Sequence, residues 1–294
     1  MYRFLGLITG AVIAVMVAIN GVLTGHYGLF TATVLLQIVG VLVALLVLWI
    51  SGKRIFPDRR LPGWMCWGGL IGVLVAVFNN FAFGKISMTA IVALGLFGQA
   101  AVSILIDQLG LFGVPRRPFS ASTLAGLLFS LAGIAFMLSG VRGSALLALW
   151  LSIGSGICVV LSRMINARLA VYSGALGSSF INHLTGLGGA LAVLMVLGRG
   201  ELPLALSIGP APWWAYVGGG MGVLVVLLCN VTVPRVPAFS LTLLTFTGQV
   251  FAGIAIDLFL GQGYSQQTFY GGLLVAAGIV LSLVLERYPP VRNK

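Results

Sequence analysis

GQAAVSILIDQLGLFG at 98–113 returns as GQVFAGIAIDLFLGQG at 248–263. Both copies open on Gly-Gln, carry a carboxylate at the end of an apolar run (Asp107, Asp257) and close on Gly. The correspondence extends outward in both directions. Upstream, Trp64-x3-Gly-Gly-x2-GVLV meets Trp214-x3-Gly-Gly-x2-GVLV, and Asn80 meets Asn230 at the same offset of 150. Earlier still, INGVLTGHYGLF at 19–30 meets INARLAVYSGAL at 165–176 at an offset of 146. There Asn20 pairs with Asn166, Gly28 with Gly174, Gln37 with His183 and Gly40 with Gly186. Downstream, TLAGLLFSLAGI at 123–134 meets TFYGGLLVAAGI at 268–279. The chain is a tandem repeat, and this organisation governs everything that follows.

Composition sets the class. Of 294 residues, 60% are hydrophobic and 7% charged, and the mean hydropathy is +1.13. Apolar runs of about 20 residues, the length that crosses a ~30 Å hydrocarbon core, recur along the chain. They are predicted at 3–24, 29–50, 64–84, 88–109, 121–140, 145–167, 175–198, 212–233, 238–260 and 269–287. Backbone groups in lipid must be satisfied within helices, so the expectation is an all-α polytopic membrane protein. Each repeat (1–143 and 144–294) holds five spans, an odd number, so the second enters the membrane from the opposite side. Inverted repeats of this kind build secondary transporters with a site near the midplane. The apolar N-terminus reads as the first span rather than a leader, because it has an internal counterpart.

The net charge of +11 is topological, not a nucleic-acid footprint. With ten spans, one side takes thirteen of the sixteen basic residues, including Lys53, Arg54, Arg116, Arg117, Arg168 and Arg235; the other takes Lys85, Arg142 and Arg199. The positive-inside rule then puts both termini in the cytoplasm of a bacterial inner membrane. Cys66, Cys158 and Cys229 lie in apolar runs without metal-ligand spacing, and neither a metal nor another cofactor is expected. No Walker A, HExxH or GxSxG pattern occurs, so ATP drive and hydrolytic catalysis are not expected.

From GQAAVSILIDQLGLFGVPRRPFS at 98–120 the chain resembles the YdcZ-type members of the drug/metabolite transporter superfamily. Their pattern runs from GQ through an apolar stretch to D-x-x-G and a PRRP turn. The resemblance is most specific over about 64–140, and the second copy has GQGYSQQ where the turn would be. It implies a fused pair of five-helix units and small-molecule transport, with no particular substrate.

Candidate site residues are the polar side chains within the spans, which must face protein or a water-filled cavity. Gly95, Gln99, Ser103 and Asp107 form one stripe at helical spacing; Thr245, Gln249, Gly253 and Asp257 form its mate. Gln99 and Gln249 fall near mid-depth, and each Asp lies ~12 Å further along its helix. The amides are read as substrate ligands or interhelical glue, the carboxylates as gates and proton-coupling groups or as helix caps. Asn20, Gln37, Asn79, Asn80, Asn166, Asn182, His183 and Asn230 complete the polar set, with Asn79, Asn80 and Asn230 placed to line a central cavity. His183 is either a satisfied buried ring or a proton-coupling group. Arg163 is placed one turn inside the cytoplasmic end, either snorkelling or offering a charge to an anion. His26, in GHYG, is read as a solvated loop residue. With no carboxylate at mid-depth, a neutral, zwitterionic or anionic metabolite is expected over a drug cation. A lipid flippase on the same fold is the alternative. Partners are then substrate and lipid, and a monomer holds both halves.

Overall fold

A computed structural model of the chain describes residues 1–52, 61–82, 85–86, 88–117, 120–138, 146–259 and 266–287. The helices are α1 Tyr2–Tyr27, α2 Leu29–Ile50, α3 Gly68–Ala82, α4 Met88–Leu109, α5 Ala121–Leu138 and α6 Leu146–Leu197. They are followed by α7 Glu201–Ser207, α8 Val217–Thr232, α9 Ala238–Phe259 and α10 Gln266–Arg287. Short 3₁₀ turns at Gly63–Trp67 and Trp213–Tyr216 lead into α3 and α8.

Among the described residues, eight helices are long and apolar enough to span a membrane. One of them, α6, supplies two spans. Its 52 residues are interrupted only at Gly174, with φ 71° and ψ 165°. Along a straight helix Asn166 and Asn182 would stand ~24 Å apart. Instead Asn166 Nδ2 donates to Asn182 Oδ1 at 2.7 Å, so the chain folds back at Gly174 into two arms, 146–173 and 175–197. With the shorter α5 this makes ten spans, as the sequence predicts. The difference is at the predicted gap 168–174, which is helix apart from the one glycine. The equivalent Gly28, between α1 and α2, has φ 84° and ψ 165°. Both glycines hold a positive φ that L side chains resist.

Packing repeats with the partners exchanged. Helix α1 packs on α8 and α9, while the first arm of α6 packs on α3 and α4. Gly10 lies against the α9 backbone at Thr245 and Gln249; its equivalent Gly156 lies against α4 at Gly95 and Gln99. Gly98 abuts Ile153 O, and Gly248 abuts Leu7 O. Gly69 faces Asn182 O of the second α6 arm, and Gly219 faces Leu36 O of α2. Lipid gives helices no hydrophobic reason to associate, so close backbone approach at small residues supplies the attraction. The α4–α9 and α5–α10 pairs join the halves. Gln37 and His183 meet where α2 touches the second arm of α6.

Candidate functional site

A cavity of about 440 Å³ lies between α1, α3, α4, the first arm of α6, α8 and α9. Its wall contains Asn79, Gln99, Gln249, Arg163 and Asn166 from the predicted set. The repeated Gly-Gln pair thereby divides its work: Gly98 and Gly248 let the helices touch, and Gln99 and Gln249 line the space. The wall also holds Ser162, Cys229 and Thr245. Of these, Thr245 sits on a stripe visible in the sequence, whereas nothing in the pattern distinguishes Ser162.

Symmetry within the wall is partial. Gln99 matches Gln249, Ile13 matches Val159 and Val75 matches Val225. Four pairs break it: Met16 against Ser162, Val17 against Arg163, Asn79 against Cys229 and Gly95 against Thr245. The guanidinium of Arg163 lies beside the Cys229 thiol, and the residue is only 8% exposed. Because the helix runs on to 173, Arg163 lies ~15 Å from its end rather than one turn inside it. That placement, with its burial against the cavity, removes the snorkelling geometry.

The remaining candidates are held elsewhere. His183 Nδ1 and Gln37 Oε1 are 2.8 Å apart, and the imidazole stacks over Gly40 and faces Gly222. Asn20 Oδ1 presses on Gly218, just as Asn166 Oδ1 presses on Gly68. Asn166 therefore serves both packing and the cavity wall. Asn230 Nδ2 donates to Ala175 O at 3.2 Å, and Asn80 is exposed at the end of α3. Asn20, Gln37, Asn80, His183 and Asn230 do not line this cavity. His26 is not a free loop side chain: it lies in the last turn of α1 and hydrogen-bonds Gly209 O at 2.7 Å.

The two ends of the cavity differ. At the α9 N-terminus, Asp107 accepts from Ala238 N (2.8 Å) and Phe239 N (2.9 Å), satisfying donors that a helix start leaves open. Beside it Ser103 Oγ and Thr242 Oγ1 are 2.9 Å apart, and Ile106, Met164, Phe239 and Leu241 are buried in one core. At the α4 N-terminus the equivalents are looser. Thr242 is 0% exposed and its mate Val92 37%; Arg163 is 8% exposed and its mate Val17 52%. Met164 is buried while Ala18 is exposed, and a Cβ on Gly253, the mate of Ser103, would meet nothing within 4 Å. The side chain of Asp257 lies outside the described residues. Among the described residues the α9 end is sealed by packing, and the equivalent positions at the α4 end are more exposed.

The model of the family described as "Putative inner membrane exporter, YdcZ" matches residues 1–136 and again 147–284. No curated protein matches the chain. One solved structure, titled only as the crystal structure of a protein, superposes with a TM-score of 0.70 at 15% identity, over 97% of this chain and 96% of that one. Identity that low speaks to fold alone. The family model covers both halves, so the chain belongs to the YdcZ-type family of drug/metabolite transporters. It is a multi-pass inner-membrane protein of an exporter family, with one family unit in each half.

Proposed function

We propose that this family member is a secondary active transporter that carries a small metabolite through the central cavity by alternating access. One observation carries the reading: two halves with the same interhelical contacts are closed to different degrees at equivalent ends. If α3, α4 and the first arm of α6 exchanged arrangements with α8, α9 and α1, the seal would move to the other end. The repeat makes that mirror arrangement chemically similar, which is what a two-state carrier needs. Arg116, Arg117, Arg168 and Arg235 cluster by sequence on the sealed side, so the positive-inside rule makes that side cytoplasmic and this state outward-facing. In this reading Asp107 is part of the inner gate, holding α4 to α9, and Asp257 is its counterpart on the outer side. Gln99, Gln249, Arg163 and Asn166 are the ligand set. A cavity of about 440 Å³ suits a small metabolite, and no carboxylate among the described lining residues offers a counter-charge to a cation.

The test compares Thr242→Cys with Val92→Cys in a chain whose Cys66, Cys158 and Cys229 are alanine, using a membrane-impermeant maleimide on detergent-purified protein. Both positions should react, Thr242→Cys more slowly, because it meets water only in the mirror state. Complete protection of Thr242→Cys while Val92→Cys reacts fully would contradict alternation. The exposure of Val17 midway along α1 favours one second reading, a side opening to lipid as in a flippase. Rapid scrambling of a fluorescent phospholipid in vesicles containing the protein would select it.

A further inference from the structure

The second half places an arginine where the first half does without one. Val17 and Arg163 occupy equivalent positions on equivalent helices, and both line the cavity. Packing therefore does not require a charge there: the fold is satisfied by Val at one copy. A buried guanidinium in the membrane interior is costly unless something offsets it. Within the described wall the only groups near it are neutral, Cys229 foremost. Of the five acids, Asp58 lies outside the described residues and the other four are placed by position. Asp107 is engaged by the first two N–H groups of α9, and Glu201 by the N–H groups of Phe30 and Thr31 of α2. Asp257 sits eight residues beyond Gln249 on α9, ~12 Å further from the sealed end, and Glu286 belongs to α10, which does not line the cavity.

We infer that the substrate carries a single small anionic group, such as a carboxylate, which binds Arg163 at the sealed floor of the cavity. Gln99 and Gln249 receive the polar remainder of the molecule above it. Arg163 lies at the deep end of the wall, next in sequence to Met164 of the sealed core, and it is the one charged side chain among the described lining residues. A planar fork of donors suits a carboxylate, and the two amides offer both donors and acceptors to an uncharged body. This assignment rests on the transport reading of the same cavity and adds the charge class of its cargo.

Cys229 is a built-in reporter, because its thiol faces both the cavity and Arg163. In a Cys66→Ala, Cys158→Ala chain, Cys229 is treated with two methanethiosulfonates of similar size, one ending in a sulfonate and one in trimethylammonium. The ratio of their rates, anionic over cationic, is expected to fall about tenfold in Arg163→Gln, the scale on which one-signed clefts steer ions. It should be largely retained in Arg163→Lys. Arg163→Val, which copies Val17, is a second neutral variant should Arg163→Gln not fold. An unchanged ratio with efficient labelling by both reagents would overturn the anion assignment and leave the transport reading standing. Failure of both reagents to reach Cys229 in any variant would overturn the two together.

Discussion

Gly69 and Gly21 are both helical glycines in the first repeat, yet a methyl group would meet different surroundings at each. On Gly69 it would overlap Asn182 O, Gly186 N and Thr185 Oγ1; on Gly21 it would meet nothing within 4 Å. Gly69→Ala is expected to lose about 1–3 kcal/mol through overpacking. Gly21→Ala should hold or gain a few tenths, since alanine favours the helix. Thermal unfolding in detergent measures the difference. The same contrast explains how far single residues were legible. Gln99 and Gln249 stood out because a polar stripe in an apolar helix must face something polar. Asn20 looked like a ligand for the same reason, but its Oδ1 presses on Gly218 across a helix contact, whereas its mate Asn166 presses on Gly68 and lines the cavity as well. Spacing gives the face of a helix and not what stands opposite it. Gln37 and His183 show the point again, since His183 Nδ1 and Gln37 Oε1 pair with each other at 2.8 Å. Gln37→Leu would remove the partner of His183 Nδ1, and a loss of roughly 1–3 kcal/mol is expected in the same assay.

At the scale of helices, the connections decide function more than the spans do. Ending the sixth span at 167 put Arg163 near a membrane face; its continuation to the Gly174 break moves the charge into the cavity wall. Hydropathy falls over Asn166 and Arg168, so the pattern reads as a turn although tertiary contacts keep it helical. The repeat itself contained the better signal, because Gly174 aligns with Gly28 and the two share one backbone conformation. Their surroundings differ. Gly174 is open, whereas a Cβ on Gly28 would strike the Glu201 carboxylate that caps α2 through Phe30 N and Thr31 N at 2.8 and 2.9 Å. Gly174→Ala should cost about 1–2 kcal/mol from the positive φ alone. Gly28→Ala should cost roughly 1 kcal/mol more, the value of a lost cap. Equal losses would mean that Glu201 contributes little to the start of α2.

For the whole molecule, the inverted repeat predicted ten spans and a polar site near the midplane where the halves meet. What it could not contain is the inequality of the two ends, since a symmetric pattern is compatible with either seal. That inequality comes from packing: Ser103 against Thr242, Asp107 on the first turn of α9 and the buried core around Leu241. Each hydrogen bond donated to the Asp107 carboxylate by Ala238 N and Phe239 N is worth about 1.5–3 kcal/mol. Losing them only in the sealed arrangement would shift a two-state population by about tenfold for every 1.4 kcal/mol. The most direct test is pulsed electron–electron resonance on two spin-label pairs at equivalent exposed positions. Leu109 with Arg235 reports the sealed end; Phe259 with Lys85 reports the open one. Measured in the otherwise intact chain and in Asp107→Ala, the first pair should lengthen as the second shortens. Opening of the first pair with no movement of the second would contradict a carrier whose ends alternate.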